Sequence, residues 1–414
     1  MANAHLRVLH TSDWHLGVSL HNQKRYDEFQ AFFDWLIQTI KEKDIHVLLI
    51  AGDIFDTTTP SNHAQELYYQ FLCQVVQTSC RHVVITGGNH DSPSFLNAPK
   101  DLLKAFSIHV VGQATNRIDD EVLLLKDKAG TPELVVLAVP YLRDRDIRLS
   151  SAGESSSDKE KKMLDGIKTH YAAVNDKATE LLASQGLDLP IISMGHLFAA
   201  GGETIDGDGV RELYIGTLAH VNSTVFGQIP DYVALGHLHV PQKVQNQETI
   251  RYSGSPLPMG FGEAKQQKQV CFLEFSGKTP QISLIPVPKF KDLVSINGNW
   301  AEIKTQLQAL IAKKSNALTE IIYDGHDDPG NLREEVEKIV AGSALEILRI
   351  KNACIAYAIL RPTAKDETLD DLTVTEVFQR LLDLKGVPED QQKELLLTYQ
   401  EAVQDLQEKD AQAD

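Results

Sequence analysis

Short apolar runs, each closing on glycine or a small polar residue, recur along the first two thirds of the chain. They fall at 6–12 (LRVLHTS), 46–52 (HVLLIAG), 82–87 (HVVITG), 134–140 (LVVLAVP), 190–195 (PIISMG) and 232–236 (YVALG). Their length and β-branched content predict strands. Nearly continuous apolar character, rather than strict alternation, implies a sheet covered on both faces. Between the first three runs, 26–43 and 63–80 carry apolar residues at helical spacing. The first of these opens with acids and closes with lysines, as the helix dipole favours. Strands alternating with helices predict an α/β fold.

The pattern changes further along. Residues 150–162 (SSAGESSSDKEKK) are polar and serine-rich and read as a mobile surface excursion. Residues 199–212 are glycine-rich and acidic and read as a loop beside an active site. Near 286–294 the composition shifts. Strand patterns at LVSING, LTEIIYDG and ALEILRI alternate with helices at about 300–314 and 330–341, which predicts a small α+β unit. From about residue 366 the chain reads as two amphipathic helices joined at Gly386, Val387 and Pro388. The expected division is 1–286, 287–365 and 366–414. No internal repeat is visible.

Composition narrows the function classes. The 414 residues hold 57 acids against 40 bases, a formal charge of −17. Duplex affinity comes largely from Lys and Arg meeting phosphate, so such a chain is a poor stand-alone DNA binder. Four cysteines, none in a CxxC, point to a reduced, cytoplasmic setting rather than a disulfide framework. The start lacks the features of a secretory signal. No apolar run approaches the roughly 18 residues that span a bilayer.

Chemistry gathers where the strands end. Asp13 and His15 follow the first strand, Asp53 and Asp56 the second, and Asn89, His90 and Asp91 the third. His196 follows the fifth, and His237 and His239 the sixth. In open α/β sheets, ligand sites lie at the carboxyl ends of strands, so these residues describe one place. Asp13 and His15 are two apart, and on an extended segment they would point the same way; His237 and His239 repeat that spacing. Mixed imidazole and carboxylate donors suit Mn²⁺, Zn²⁺ or Fe²⁺ better than Mg²⁺ or Ca²⁺. The donors suffice for two ions sharing one carboxylate, the arrangement that clamps a phosphoryl displacement.

The order DxH, GDxxD, GNHD, GH and GHxH resembles the calcineurin-like metallophosphoesterase superfamily. LHTSDWHLG, AGDIFDTTTPS, GGNHDS, YIGT, ALGHLH and RYSGSP narrow the resemblance to the bacterial SbcD family, relatives of the Mre-eleven nuclease. It covers essentially the whole chain, the last third mainly by layout and by TVTEVF.

The resemblance implies a metallophosphoesterase β-sandwich flanked by helices (1–286), a capping domain that helps select DNA (287–365) and a helical tail (366–414). It implies two Mn²⁺ ions, one held by Asp13, His15, Asp53 and His239, the other by Asp53, Asn89, His196 and His237. Asp53 would bridge. His90 would be the general acid, with Asp91 orienting it. The implied activity is a Mn²⁺-dependent nuclease acting on DNA duplex ends and hairpins. Its partner would be an SbcC-type SMC-like ATPase, in a heterotetramer containing a nuclease homodimer. That partner would supply DNA-binding surface and bind ATP, since no GxxxxGK[ST] is present here. The setting would be cytoplasmic and nucleoid-associated, without membrane.

One position departs from the archaeal and eukaryotic relatives, where a histidine stands at the place of Asp56. A carboxylate cannot serve as a cationic phosphate contact, so Asp56 is either a strand-end acid or an outer support. Arg143, Arg145 and Arg148 either meet phosphates or form a solvated charged loop. Arg251 is structural or lies near phosphate. His10, inside the first strand, is expected to point into the core. The tail either docks the partner's coiled coil or folds back. The helices 26–43 and 63–80 either make the dimer contact or pack on the sheet. Two other functions compete: a phosphoesterase for small diesters or phosphoproteins, and a DNA-end scaffold without chemistry.

Overall fold

The computed structural model describes residues 6–115, 117–147, 155–199, 221–325, 332–353 and 374–384, with the short stretches 387–388, 391–393 and 395–399. The chain forms two compact units, Met1–Leu293 and Val294–Asp414.

Two six-stranded sheets build the first unit. One contains β1 (Leu6–Thr11), β4 (Val47–Ala51), β5 (His82–Thr86), β6 (Ile108–Val111), β13 (Gln269–Ser276) and β14 (Thr279–Pro286), in the order β14-β13-β1-β4-β5-β6. A small hairpin, β2 (Ser19–Leu20) and β3 (Gln23–Lys24), precedes β4. The second sheet contains β7 (Val122–Lys126), β8 (Pro132–Ala138), β9 (Ile191–His196), β10 (Tyr232–Gly236), β11 (Gln242–Val244) and β12 (Gln247–Tyr252), in the order β11-β12-β10-β9-β8-β7. Each sheet has a parallel core, β1-β4-β5-β6 in one and β12-β10-β9-β8 in the other. Antiparallel strands close both edges of the second sheet and one edge of the first.

The apolar runs lack alternation because both faces of each sheet are covered. In β4, Val47, Leu49 and Ala51 pack between the sheets with Val136, Ile192 and Ala234. Leu48 and Ile50 face the other way, onto Phe29, Phe33, Phe71 and other residues of the helices Tyr26–Glu42 and Asn62–Val75. On the outside of the second sheet, Val135, Leu137 and Val233 meet Ile167, Tyr171, Val174 and Ala178 of the helix Ser156–Gln185. The result is a β-sandwich flanked by helices, the architecture expected from the sequence. His10 is fully buried and crosses between the sheets, its ring 3.1 Å from Tyr232 Oη and 3.2 Å from the Leu235 carbonyl.

Several local expectations change. The serine-rich excursion is in part a helix start: Ser155 caps Ser156–Gln185 in a reciprocal capping box with Asp158. The helix expected over 63–80 ends at Val75. β6, β7 and β11 to β14 carry no clear strand pattern of their own. Residues 200–212 of the glycine-rich stretch, Arg148 and residues 366–373 lie outside the described residues, as does most of the last helix pattern.

In the second unit, β15 (Leu293–Gly298), β16 (Leu318–Tyr323) and β17 (Glu346–Asn352) form a three-stranded sheet in that order. Helices Trp300–Ala312 and Leu332–Val340 cover it through Ile303, Leu307 and Val336, which pack on Ile296 and Ile321. Asn299 and Glu302 form the capping box of the first helix. The helix Val374–Leu384 follows. No helix among the described residues is long and apolar enough to cross a membrane.

Candidate metal centre

Every candidate donor leaves the carboxyl end of a parallel strand: Asp13 and His15 after β1, Asp53 after β4, Asn89 after β5, His196 at the end of β9, His237 and His239 after β10. The segments are not extended, contrary to the sequence expectation. Asp13, His15, Asp53 and His237 have φ of 53°, 49°, 49° and 101°. Left-handed backbone at non-glycine residues costs free energy and persists only where packing over-determines it. Trp14 supplies that packing. It is fully buried, with Phe32, Phe33 and Phe71 edge-on to its ring at 5.1–6.1 Å between centroids. Asp13 and His15 turn toward the site because Trp14 is anchored in the helix layer. The amides of Asp13 and His15 also donate to the carbonyls of Gly52 and Asp53, each at 3.0 Å.

Two glycines permit the approach of these loops. A Cβ on Gly88 would overlap the Asp53 side chain and amide, and one on Gly236 would overlap the Ala51 carbonyl and crowd His196.

The donors form two groups. Asp13, His15 and His239 converge in one, and Asp53, His196 and His237 in the other. All six are buried. In the first, His15 Nε2 and His239 Nε2 are 3.1 Å apart. In the second, Asn89 Oδ1 lies 3.0 Å from both His196 Nε2 and His237 Nδ1. Asp53 joins them: its Oδ2 is 3.2 Å from His196 Nε2 and 3.5 Å from His15 Nε2. Its Oδ1 accepts the His90 amide at 2.9 Å, and Asp13 Oδ1 accepts the His237 amide at 2.8 Å. Buried imidazoles and carboxylates converging in this way fit divalent transition-metal ions.

His90 is half-buried, its ring perpendicular to that of His15 at 4.7 Å between centroids. Its Nδ1 is 2.9 Å from the Asp56 carbonyl, an acceptor only, so Nδ1 carries the proton. The expectation that Asp91 orients this ring is corrected. Both Asp91 oxygens are taken by main-chain amides: Ile54 at 3.1 Å, Phe55 at 3.0 Å and Gly88 at 2.9 Å. Asp91 ties the loop after β5 to the loop after β4. Asp56 Oδ1 lies 3.4 Å from His15 Nδ1.

Charge is distributed unevenly. Burial would lower His15 and His196, yet Asp56 and Asp53 outweigh it for His15, and Asp53 for His196, so both rise to about 9. Burial, then the nearby His196, pushes His237 down to about 3. Burial would raise Asp53, but His196 and His15 hold it well below the usual carboxylate range. Burial raises Asp13, lifts Asp91 to about 6 and lowers His90.

The sequence reading missed some neighbours. Glu263 and Lys268 form a fully buried pair behind His239. Ser12 Oγ bridges Asp13 Oδ2 at 2.5 Å and Ser253 Oγ at 2.8 Å. The only available signal for the first was an acid and a base five residues apart in a polar stretch. Arg143 donates to the Asp91 carbonyl at 3.0 Å. Arg145 is largely exposed, 3.7 Å from Asp146, and Arg251 pairs with Glu248.

The family profile for calcineurin-like phosphoesterases matches residues 6–241, and a profile described as the type 5 capsule protein repressor C-terminal domain matches 289–385. The chain is 34% identical over 393 residues to the Escherichia coli K12 protein named as the SbcD component of nuclease SbcCD, covering 94% of this chain and 96% of that one. The Bacillus subtilis protein of the same name is 28% identical over 416 residues, covering 97% and 99%. The Rhodobacter capsulatus one is 33% identical over 290 residues, covering 69% and 70%.

Proposed function

This chain belongs to the calcineurin-like phosphoesterases and, over nearly its whole length, to the SbcD nuclease family; from that premise we propose that it cuts DNA with two Mn²⁺ ions as the nuclease half of an ATP-regulated complex. It is a metal-dependent phosphodiester hydrolase. The observation that carries the two-ion reading is the position of Asp53 Oδ2, within 3.5 Å of an imidazole from each donor group. Asp13, His15, Asp53 and His239 would hold one ion, and Asp53, Asn89, His196 and His237 the other. When bound, the ions supply Lewis acidity, which lowers the pKa of water and offsets charge building on the phosphate.

The chain's own residues do the rest. Asp53 fixes the spacing between the groups. Asn89, placed after β5, sets one neutral oxygen 3.0 Å from two imidazoles. His90 donates Nδ1–H to a carbonyl, so it can protonate a leaving 3′ oxygen from Nε2 only as imidazolium. A DNA phosphate beside it favours that charged form. Asp91 acts by holding the loop that carries His90.

The substrates are duplex ends, taken as an exonuclease, and hairpins or single strands, taken as an endonuclease. The partner is an SbcC-type SMC-like ATPase, in a heterotetramer containing a homodimer of this chain. It offsets a charge of −17 by bringing cationic surface to the DNA. Residues 287–365 are assigned a role in selecting DNA, and residues 366–414 the docking of the partner's coiled coil. A DNA substrate places the complex in the cytoplasm, at the nucleoid.

The test is cleavage of an end-labelled duplex with and without Mn²⁺, and with and without the ATPase partner. Wild type is compared with Asp53→Asn and His90→Ala. The expected result is Mn²⁺-dependent cutting lost in both variants, with two ions retained in His90→Ala. Metal-loaded protein that cuts no DNA under any condition overturns the reading.

A further inference from the structure

The buried Glu263–Lys268 pair lies behind the metal centre. Glu263 is 0% and Lys268 3% exposed. Burying such a pair generally adds little stability, because desolvation offsets attraction. Its placement is more informative. Lys268 Nζ donates to the main-chain carbonyl of His239 at 2.9 Å and to Ser255 Oγ at 3.0 Å, and it pairs with Glu263 Oε2. Oε2 also accepts the Met259 amide at 3.2 Å. The other oxygen, Oε1, has no hydrogen bond among the described residues and lies 3.7 Å from His239 Nδ1. The pair thus meets His239 at both ends, Lys268 at its backbone and Glu263 at its ring. On the opposite edge of that ring, Nε2 faces His15 Nε2 at 3.1 Å.

We propose, resting on the reading of His239 as a metal ligand, that Glu263 is a positioning residue, charge-balanced by Lys268, that keeps His239 protonated on Nδ1 with Nε2 presented to the cation. A carboxylate facing Nδ1 favours the proton there, limits ring rotation and makes Nε2 the stronger donor. Lys268 compensates a carboxylate that would be costly to bury alone, and it pins the main chain that carries the ring. An apolar pair could fill the same space, but it would leave Nδ1 without a carboxylate to face.

Metal-free, full-length protein titrated with Mn²⁺ in a calorimeter, without DNA, tests this. The variants are Glu263→Gln, the double Glu263→Gln/Lys268→Met, and Glu133→Gln. The last breaks the Arg81–Glu133 pair at the amino end of β5, away from the site. Wild type is expected to take up two ions. Glu263→Gln is expected to bind one of them about ten- to a hundredfold more weakly. The double variant keeps that defect although it leaves no buried charge unpaired, and Glu133→Gln binds as wild type. Wild-type affinity in folded Glu263→Gln overturns the proposal. So does recovery in the double variant, which would trace the defect to an unpaired lysine. If Glu263→Gln fails to fold, the double variant decides. Wild type that takes up no Mn²⁺ overturns the ligand reading itself, and the inference with it.

Discussion

In one half of the centre, His15 and His239 each turn Nδ1 toward a carboxylate, Asp56 at 3.4 Å and Glu263 at 3.7 Å. In the other half, His196 turns Nδ1 to the neutral Ala51 carbonyl at 3.0 Å, while His237 turns Nδ1 inward, 3.0 Å from the donor oxygen of Asn89. The donors are of similar type; what stands behind them differs. A carboxylate behind an imidazole strengthens it as a ligand, whereas a neutral oxygen does so less. The carboxylate-backed half is therefore expected to hold its ion more tightly, and the half containing Asn89 to exchange its ion more readily.

The largest test removes what the halves share. Asp53→Asn should lower DNA cleavage by about 10⁴-fold, the scale on which one member of a catalytic unit fails. Metal analysis should find fewer than two ions per chain. Asn89→Ala should affect only the neutral-backed half: a loss of about a hundredfold in cleavage, with one tightly held ion retained in calorimetry. If both ions are lost, the halves are not separable. Asp56→Asn should weaken a single ion by about tenfold and leave the weaker step of wild type unchanged. Equal weakening of both steps would remove the distinction.

The smallest effect concerns stability and contrasts the site with the core. His10 has no carboxylate partner, and burial holds it down to about 3. Unfolded, it takes up a proton near its ordinary value of 6.5. The unfolded chain therefore binds more protons between those values, and stability falls as pH drops through that window. The slope from this one group is at most about 1.4 kcal/mol per pH unit. Chemical denaturation of metal-free protein should show a shallower acid slope in His10→Asn. For His15, raised to about 9, the sign reverses: its contribution is complete below 6.5 and lost as pH rises through 9.

Much of this was legible before any coordinates. Buried parallel strands write themselves as apolar runs, and the polar residues directly after them had to share one edge. The helix Ser156–Gln185 was not legible, because its buried stripe is narrow. Ile167, Tyr171, Val174 and Ala178 carry it amid polar residues, and its cap lies in a serine-rich stretch that resembles a loop. The positions of Asp13 and His15 were right for the wrong reason: a tryptophan anchor and left-handed turns direct them, not strand alternation. Asp91 was misjudged because adjacency in GNHD says nothing about where a carboxylate points. Glu263 and Lys268 were invisible because their meaning depends on His239, which reaches them only through the fold.

The pairing of β1 with β13 sets an order of events during synthesis. Leu6 aligns with Phe275, so the first strand lacks one neighbour until nearly the whole first unit has been made. It can pair early with β4 on one side, but the other side remains an open edge, and open edges invite pairing with other chains. Contacts this distant in sequence also close slowly. A ribosome-bound chain therefore carries Asp13, His15 and Asp53 long before the strand that completes their sheet. The hydrolytic centre can become rigid only once residues 269–276, two thirds of the way along the 414-residue chain, have emerged, which delays phosphodiester hydrolysis until then.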